Sequence, residues 1–193
     1  HSGAFCAAII DWSRQQGLGF SRLVSLGNQA DVTETDLLPL IAADPHTRVI
    51  VLYLEALRDG ACFVETARQV TRQKPIVALK VGRSASGQRA AASHTGALAG
   101  AEAAYDAAFR KSGVMRAETA EELFDWARAL AAAPLPAGRN IAILTNAGGP
   151  GVIAADALER CGLRLAELAP ATLDALAALL PAAASIHNPV DML

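Results

Sequence analysis

Short aliphatic or β-branched runs punctuate this chain, each followed by a glycine or aspartate and then by a stretch whose apolar residues recur at helical spacing. That alternation is the sequence form of βαβ units on a parallel sheet, so the fold class is α/β. The runs predict strands at Arg22–Leu26, Arg48–Leu54, Pro75–Val81, Ile141–Thr145 and Leu163–Leu165, with a weaker one at Val114–Met115. Helices fill the intervals. Thr119 and Glu122 have capping-box spacing ahead of Leu123, Phe124 and Trp126, and Pro170 suits the first turn of a helix running to Leu180.

The periodicity breaks at Ala131–Asn140, where two prolines and a glycine precede a restart of the βα pattern. We therefore expect a first domain over residues 1–133, a linker over 134–139 and a second domain over 140–193. The second shows only two recognisable strands and stops at NPVDML without a closing element. At the other end, Ser2-Gly3-Ala4-Phe5 reads as a helix start that in a doubly wound fold follows a strand. Both ends read as cut, and the chain is expected to be an excised part of a longer polypeptide, with His1 native or left from cloning.

Composition narrows the function classes. Among 193 residues, 17 Lys and Arg stand against 19 Asp and Glu, which lacks the basic excess of a nucleic-acid binder. Hydrophobic residues make up 52% and aromatic ones 5%, which excludes disorder and predicts close packing on small side chains. Charges or prolines interrupt every apolar stretch before the roughly 18 residues needed to span a bilayer, so no membrane segment is expected. Cys6, Cys62 and Cys161 have no CxxC spacing; they read as buried thiols in a reducing, cytoplasmic setting. No metal-ligand spacing links the histidines, and His46 and His187 read as turn residues.

Three places carry candidate chemistry. The segment Gly82–Gly100 follows a strand and is too rich in Gly, Ser and Ala to bury much; within it His94 stands between Ser93 and Thr95, with Gly96 next. Its imidazole is a candidate nucleophile or proton carrier, and equally a solvated loop histidine. Thr145–Gly151 turns from strand to helix through Gly148, Gly149 and Gly151, giving backbone N–H groups and a helix dipole that favour an anion, or simply a tight turn. It is not GxGxxG and lacks the Walker lysine. Ser2 and Gly3 repeat the same physics at another helix start, and two such starts could face one phosphate. Glu55 ends a strand at the carboxyl edge, where open α/β sheets place ligand crevices; a carboxylate there can orient an imidazole or merely cap the strand. Asn28 and Asp31 lie on the same rim, as substrate contacts or as turn formers.

In order along the chain, the strings SGAF, SLGNQAD, LYLEALRDG, KPIVALKVGRS, SHTGALAG, TNAGGPG and NPVDM resemble the nucleoside-diphosphate-forming acyl-CoA synthetases, the superfamily that includes succinyl-CoA synthetase. The resemblance covers nearly the whole chain. It implies two flavodoxin-like parallel-sheet domains, the second incomplete, and a reaction in which ATP or GTP, a carboxylic acid and CoA give acyl-CoA, the nucleoside diphosphate and phosphate. Acyl phosphate and a phosphohistidine are the implied intermediates. On this reading His94 is the phosphorylated residue and Glu55 steadies it. Ser2-Gly3 and Gly148–Gly151 match the two helix starts that hold the phosphate.

The resemblance also implies what is missing: a CoA-binding Rossmann domain and an ATP-grasp domain, on the same polypeptide or on a partner in an oligomer. These would bind CoA and ATP with its magnesium; no permanently bound cofactor and no resident metal are expected. The loop reads Ser-His-Thr-Gly, as in the ADP-forming acetyl-CoA synthetase branch, where the succinyl enzymes have Gly-His-Ala-Gly. That points to a small monocarboxylic acid. By itself the chain is expected to be inactive in net synthesis. The competing readings are a regulatory or scaffold module of the same fold, for example one fused to an acetyltransferase, and a flavin-binding flavodoxin-like domain.

Overall fold

The structure is a computed structural model that describes residues 2–84, 86–87, 102–134 and 136–193. It divides into two compact units, His1–Pro134 and Leu135–Leu193.

In the first unit three strands, β1 (Ile50–Leu54), β2 (Ile76–Lys80) and β3 (Met115–Ala117), form a parallel sheet in the order β1-β2-β3. Their register sets Leu54 opposite Lys80 and Leu79 opposite Ala117. All five residues of β2 are buried, as expected for the middle strand of a parallel sheet covered on both faces. Because side chains alternate along a strand, Ile76 and Ala78 enter one core while Val77 and Leu79 enter the other. The first core is closed by α2 (Glu34–Ala43), α3 (Gly60–Val70) and α4 (Glu102–Ser112), through Leu38, Phe63, Ala67, Tyr105 and Phe109. The second is closed by α1 (Gly3–Gln15) and α5 (Ala120–Ala132), through Trp12, Leu123 and Phe124. Thus the α/β class and parallel sheet expected from the sequence are present.

Side chains start the helices where the sequence places them. The Ser2 and Thr119 hydroxyls accept the Phe5 and Glu122 N–H groups at 3.2 and 3.1 Å. Glu122 does not complete the expected box on Thr119; its carboxylate accepts the Glu118 N–H one residue earlier, at 2.7 Å. Asp59 takes the Cys62 N–H at 2.9 Å to begin α3.

One expected strand does not form. Arg22–Leu26 belongs to no sheet, and Leu23 and Val24 are exposed. A ladder needs a partner backbone within about 5 Å, and here an apolar cavity of about 300 Å³ lies between this segment and β1. The cysteines also depart from expectation: Cys62 and Cys161 are exposed and Cys6 is half-buried. On α3 the buried stripe is Phe63, Ala67 and Val70, so Cys62, one position off it, faces outward. Cys161 stands at a helix C-cap.

The second unit contains β4 (Asn140–Ile141), β5 (Leu144–Thr145), α6 (Gly148–Arg160), β6 (Arg164–Leu165), α7 (Pro170–Leu179) and β7 (Val190–Asp191). Pro170 occupies the first turn of α7, as expected. Two short parallel pairs form, β4 with β6 and β5 with β7. The single strand expected over Ile141–Thr145 is divided because the Asn188 side chain takes the place of ladder bonds. Its Oδ1 accepts the Ile143 N–H at 2.9 Å, and its Nδ2 donates to the Ile141 and Ala166 carbonyls at 2.9 and 3.0 Å. NPVDML, expected to stop without a closing element, supplies this clamp and strand β7.

Candidate functional site

Strand β1 ends at Leu54 and delivers Glu55 to the carboxyl edge of the sheet, where it is 8% exposed. The surrounding backbone is tied on both sides. Before it, the Val81 N–H donates to the Leu54 carbonyl at 3.0 Å; after it, the Leu57 N–H donates to the Tyr105 hydroxyl at 3.2 Å. Next in sequence, the Arg58 guanidinium donates to the Gln29 carbonyl and, at 3.4 Å, to that of Ala30, which staples the Glu55 loop to the turn 27–31.

In that turn the sequence drew attention to Asn28 and Asp31, but both are exposed. Its shape is set by two other residues. Gly27 takes φ +56° and Gln29 takes φ +53°, a region that a residue with a side chain enters only when its surroundings hold it there. Gln29 is 5% exposed, and its Nε2 donates to the carboxylate of Glu34 in the first turn of α2. Burial raises the Glu34 carboxyl above its usual range.

Helix α1 starts on the same rim. The Phe5 ring lies 4.3 Å from that of Tyr53, two residues before Glu55, and a Cβ added to Gly3 would stand 3.9 Å from the Ser25 hydroxyl. The Ser2 hydroxyl is engaged in capping Phe5, so the groups with donating capacity left at this helix start are its first backbone N–H groups rather than that oxygen. Burial raises the Tyr53 phenol, and the Glu55 charge adds to it.

Directly across the ladder from Leu54 is Lys80, a lysine 2% exposed on the central strand. Its ammonium donates to the Val81 carbonyl and lies 4.7 Å from the centre of the Tyr105 ring. Burial holds it below the usual lysine range, an effect opposed by the Glu102 carboxylate. The segment that follows, with Ser93, His94, Thr95 and Gly96, lies outside the described residues.

In the second unit, α6 opens on Gly148. The Thr145 hydroxyl accepts the Ala147 N–H at 3.1 Å, ordering the turn. The glycines there differ in kind. A Cβ at Gly151 would meet Thr145 Cγ2 at 3.2 Å and Pro189 Cβ at 3.3 Å, and one at Gly148 would meet Asp191 Oδ2 at 3.3 Å, so both are needed for packing against the strand ends. Gly149 faces open space; there the missing side chain exposes backbone.

Among the described residues, no group of three or more His, Cys, Asp and Glu side chains is placed to hold a metal ion, and no helix is long and apolar enough to cross a membrane. The 300 Å³ cavity lies beside β1 and is not lined by Glu55. Its lining includes Ser2, Phe5 and Tyr53, so it borders the start of α1 while Glu55 lies outside it.

Residues 1–130 match the family described as the succinyl-CoA ligase like flavodoxin domain. The chain belongs to this family. Across its whole length, this succinyl-CoA ligase-like chain is 50% identical over 192 residues to the ADP-forming acetate–CoA ligase I of Archaeoglobus fulgidus, of which it spans 28%. It is 47% identical over 192 residues to the alpha subunit of ADP-forming acetate–CoA ligase II of Pyrococcus furiosus, of which it spans 42%. A solved structure, the dinucleotide forming acetyl-coenzyme A synthetase 1 of Ca. Korarchaeum cryptofilum in complex with phosphate and ADP, superposes with a TM-score of 0.90 at 40% identity, over 99% of this chain and 42% of that one. The chain thus spans less than half the length of these relatives.

Sequence reading missed Gln29, Arg58, Lys80 and Tyr105. The signal for Lys80 was present: a lysine ends the apolar run IVAL inside a strand read as buried. Gln29 and Arg58 left none, because their roles depend on a left-handed backbone and a contact between loops.

Proposed function

We propose that this chain is the phosphate-relay part of an ADP-forming acyl-CoA synthetase that acts on a small monocarboxylic acid. The observation that carries the reading is end-to-end identity of 47 to 50% with ADP-forming acetate–CoA ligases, together with a buried glutamate at the carboxyl edge of the sheet.

In the synthetic direction the His94 imidazole attacks the terminal phosphorus of ATP; an N–P bond forms as the bond to the ADP oxygen breaks. The acid's carboxylate oxygen then attacks that phosphorus, breaking the N–P bond and giving acyl phosphate. CoA thiolate adds to the acyl carbon and phosphate leaves. Glu55 accepts a hydrogen bond from one imidazole nitrogen, keeping the other free to react. Each unit offers phosphate donors of its own, the N–H groups at the start of α1 in the first and those at the start of α6, with Gly149 as the open position, in the second. Ser93, Thr95 and Gly96 flank the phosphorylated residue, and Asn28 and Asp31 stand where the acid approaches. CoA and nucleotide are bound by a CoA-binding domain and an ATP-grasp domain supplied with the chain, in a cytoplasmic oligomer.

The test is labelled ATP incubated with the chain and those domains, with acid-labile, base-stable phosphate mapped by peptide mass spectrometry and His94→Ala as control. Label on His94 that acid and CoA discharge supports the relay. Absence of label in the complete assembly overturns it in favour of a regulatory module.

A further inference from the structure

A charge at the end of the central strand needs a reason. Positions 76–79 of β2 are apolar and buried on both faces, and Lys80 is as buried as they are. A methionine fills much the same volume without an ammonium to desolvate, so packing alone does not call for lysine there. The ammonium nevertheless sits in a defined cage. The Val81 carbonyl accepts from it, the Tyr105 face lies 4.7 Å away, and the charges of Glu102, Arg116 and Glu55 act on it.

Tyr105 is the link to the rim. One side of its ring faces the Lys80 ammonium, while its hydroxyl accepts the Leu57 N–H at 3.2 Å. Glu55 is thereby held from before by Val81 on Leu54 and from after by Tyr105 on Leu57, and Lys80 is seated against both holds.

We propose that Lys80 is a positioning residue for Glu55: its buried ammonium, seated on the Tyr105 ring and the Val81 carbonyl, fixes the turn Glu55–Leu57. This rests on the reading that Glu55 orients His94. Lys80 touches no reacting atom; it acts through Tyr105 and the turn. Charge, rather than volume, is the property required, because an ammonium donates to the Val81 carbonyl and is held on the ring face at once, where a thioether has no donor and makes only a weak contact with the ring.

The experiment uses the chain with its CoA-binding and ATP-grasp domains, as wild type, Lys80→Met, Lys80→Arg, Glu55→Gln and the Lys80→Met/Glu55→Gln pair. Two quantities are read: amide hydrogen exchange at Leu57, with Val77 and Ala78 as core references, and the single-turnover rate of His94 labelling by ATP. In Lys80→Met the Leu57 amide is expected to exchange about tenfold faster while Val77 and Ala78 stay within about twofold. Labelling is expected to slow about tenfold at unchanged ATP KM, with most of it recovered in Lys80→Arg. The pair should be no slower than Glu55→Gln alone. Unchanged exchange at Leu57 in Lys80→Met overturns the hold on the turn, and so does recovery by shape instead of charge, with Met active and Arg inactive. Losses that add in the pair overturn action through Glu55. If wild type does not label His94 the phosphohistidine reading fails, and if Glu55→Gln labels at the wild-type rate Glu55 is not part of the relay; in either case exchange at Leu57 still decides whether Lys80 holds the turn.

Discussion

The Arg83 guanidinium meets the Glu102 carboxylate at 3.3 Å, which joins the strand end before residues 88–101 to the first residue of the helix after them. Glu102 is shared with Arg116 of β3, whose side chain is 9% exposed and also contacts Asp106. The two arginines should differ in worth. Arg83→Ala, breaking the exposed pairs with Glu102 and Glu118, is expected to cost less than about 1 kcal/mol. Arg116→Met removes a shielded guanidinium from two partly exposed carboxylates and is expected to cost more than Arg83→Ala. Urea denaturation of the two variants checks the order; equal losses would remove the distinction between shielded and exposed pairs.

Glu55→Gln keeps the shape of the side chain and removes its charge. We expect His94 labelling to fall by about 10- to 100-fold while the unfolding midpoint stays close to that of wild type. A rate within twofold of wild type would take Glu55 out of the relay.

The glycines of α6 separate packing from ligand contact. Gly151→Ala forces a methyl against Thr145 and Pro189 and is expected to cost about 1–3 kcal/mol of stability. Gly149→Ala adds a methyl in open space; it should leave stability unchanged or slightly higher and weaken phosphate retention on the chain. Thermal melts and phosphate-binding titrations of both variants should show the two effects on different residues.

Glu34 provides a pH test. Burial raises its carboxyl in the folded state above the ordinary value near 4.5, so the folded chain binds more protons than the unfolded chain just above that pH. Stability from this group is therefore greatest below the unfolded value and declines as pH rises through the folded one. Relative to wild type, Glu34→Gln, which keeps an oxygen for Gln29 to donate to, should gain stability from pH 4.5 upward and then level off. A stability difference that is flat with pH, measured by denaturant unfolding, would contradict the effect of burial.

The sheet was legible because its signals are local and redundant. The run IVAL between Pro75 and Lys80 can only be a buried strand, and Ser2, Thr119 and Pro170 mark helix starts by chemistry that needs no distant partner. Glu55 could be found the same way, as a charge placed just after such a run. What could not be read depends on contacts far apart in the chain. Arg22–Leu26 has the composition of a strand, yet a strand exists only beside another backbone. Asn188 interrupts the Ile141–Thr145 run from more than forty residues downstream, and nothing in that run announces it. Residues 88–101, with the histidine proposed to carry phosphate, lie outside the described residues, so the role of that motif rests on resemblance alone.

Strand β1 is an end strand of its sheet, and its far side borders the apolar cavity, with Leu23 and Val24 exposed beyond it. In colloidal terms this is an adhesive seam: an edge with no ladder partner among the described residues, next to oily side chains, recruits any extended backbone that arrives, including that of another copy. The chain should therefore be best behaved when dilute, and light scattering that climbs with concentration would originate on this side of β1.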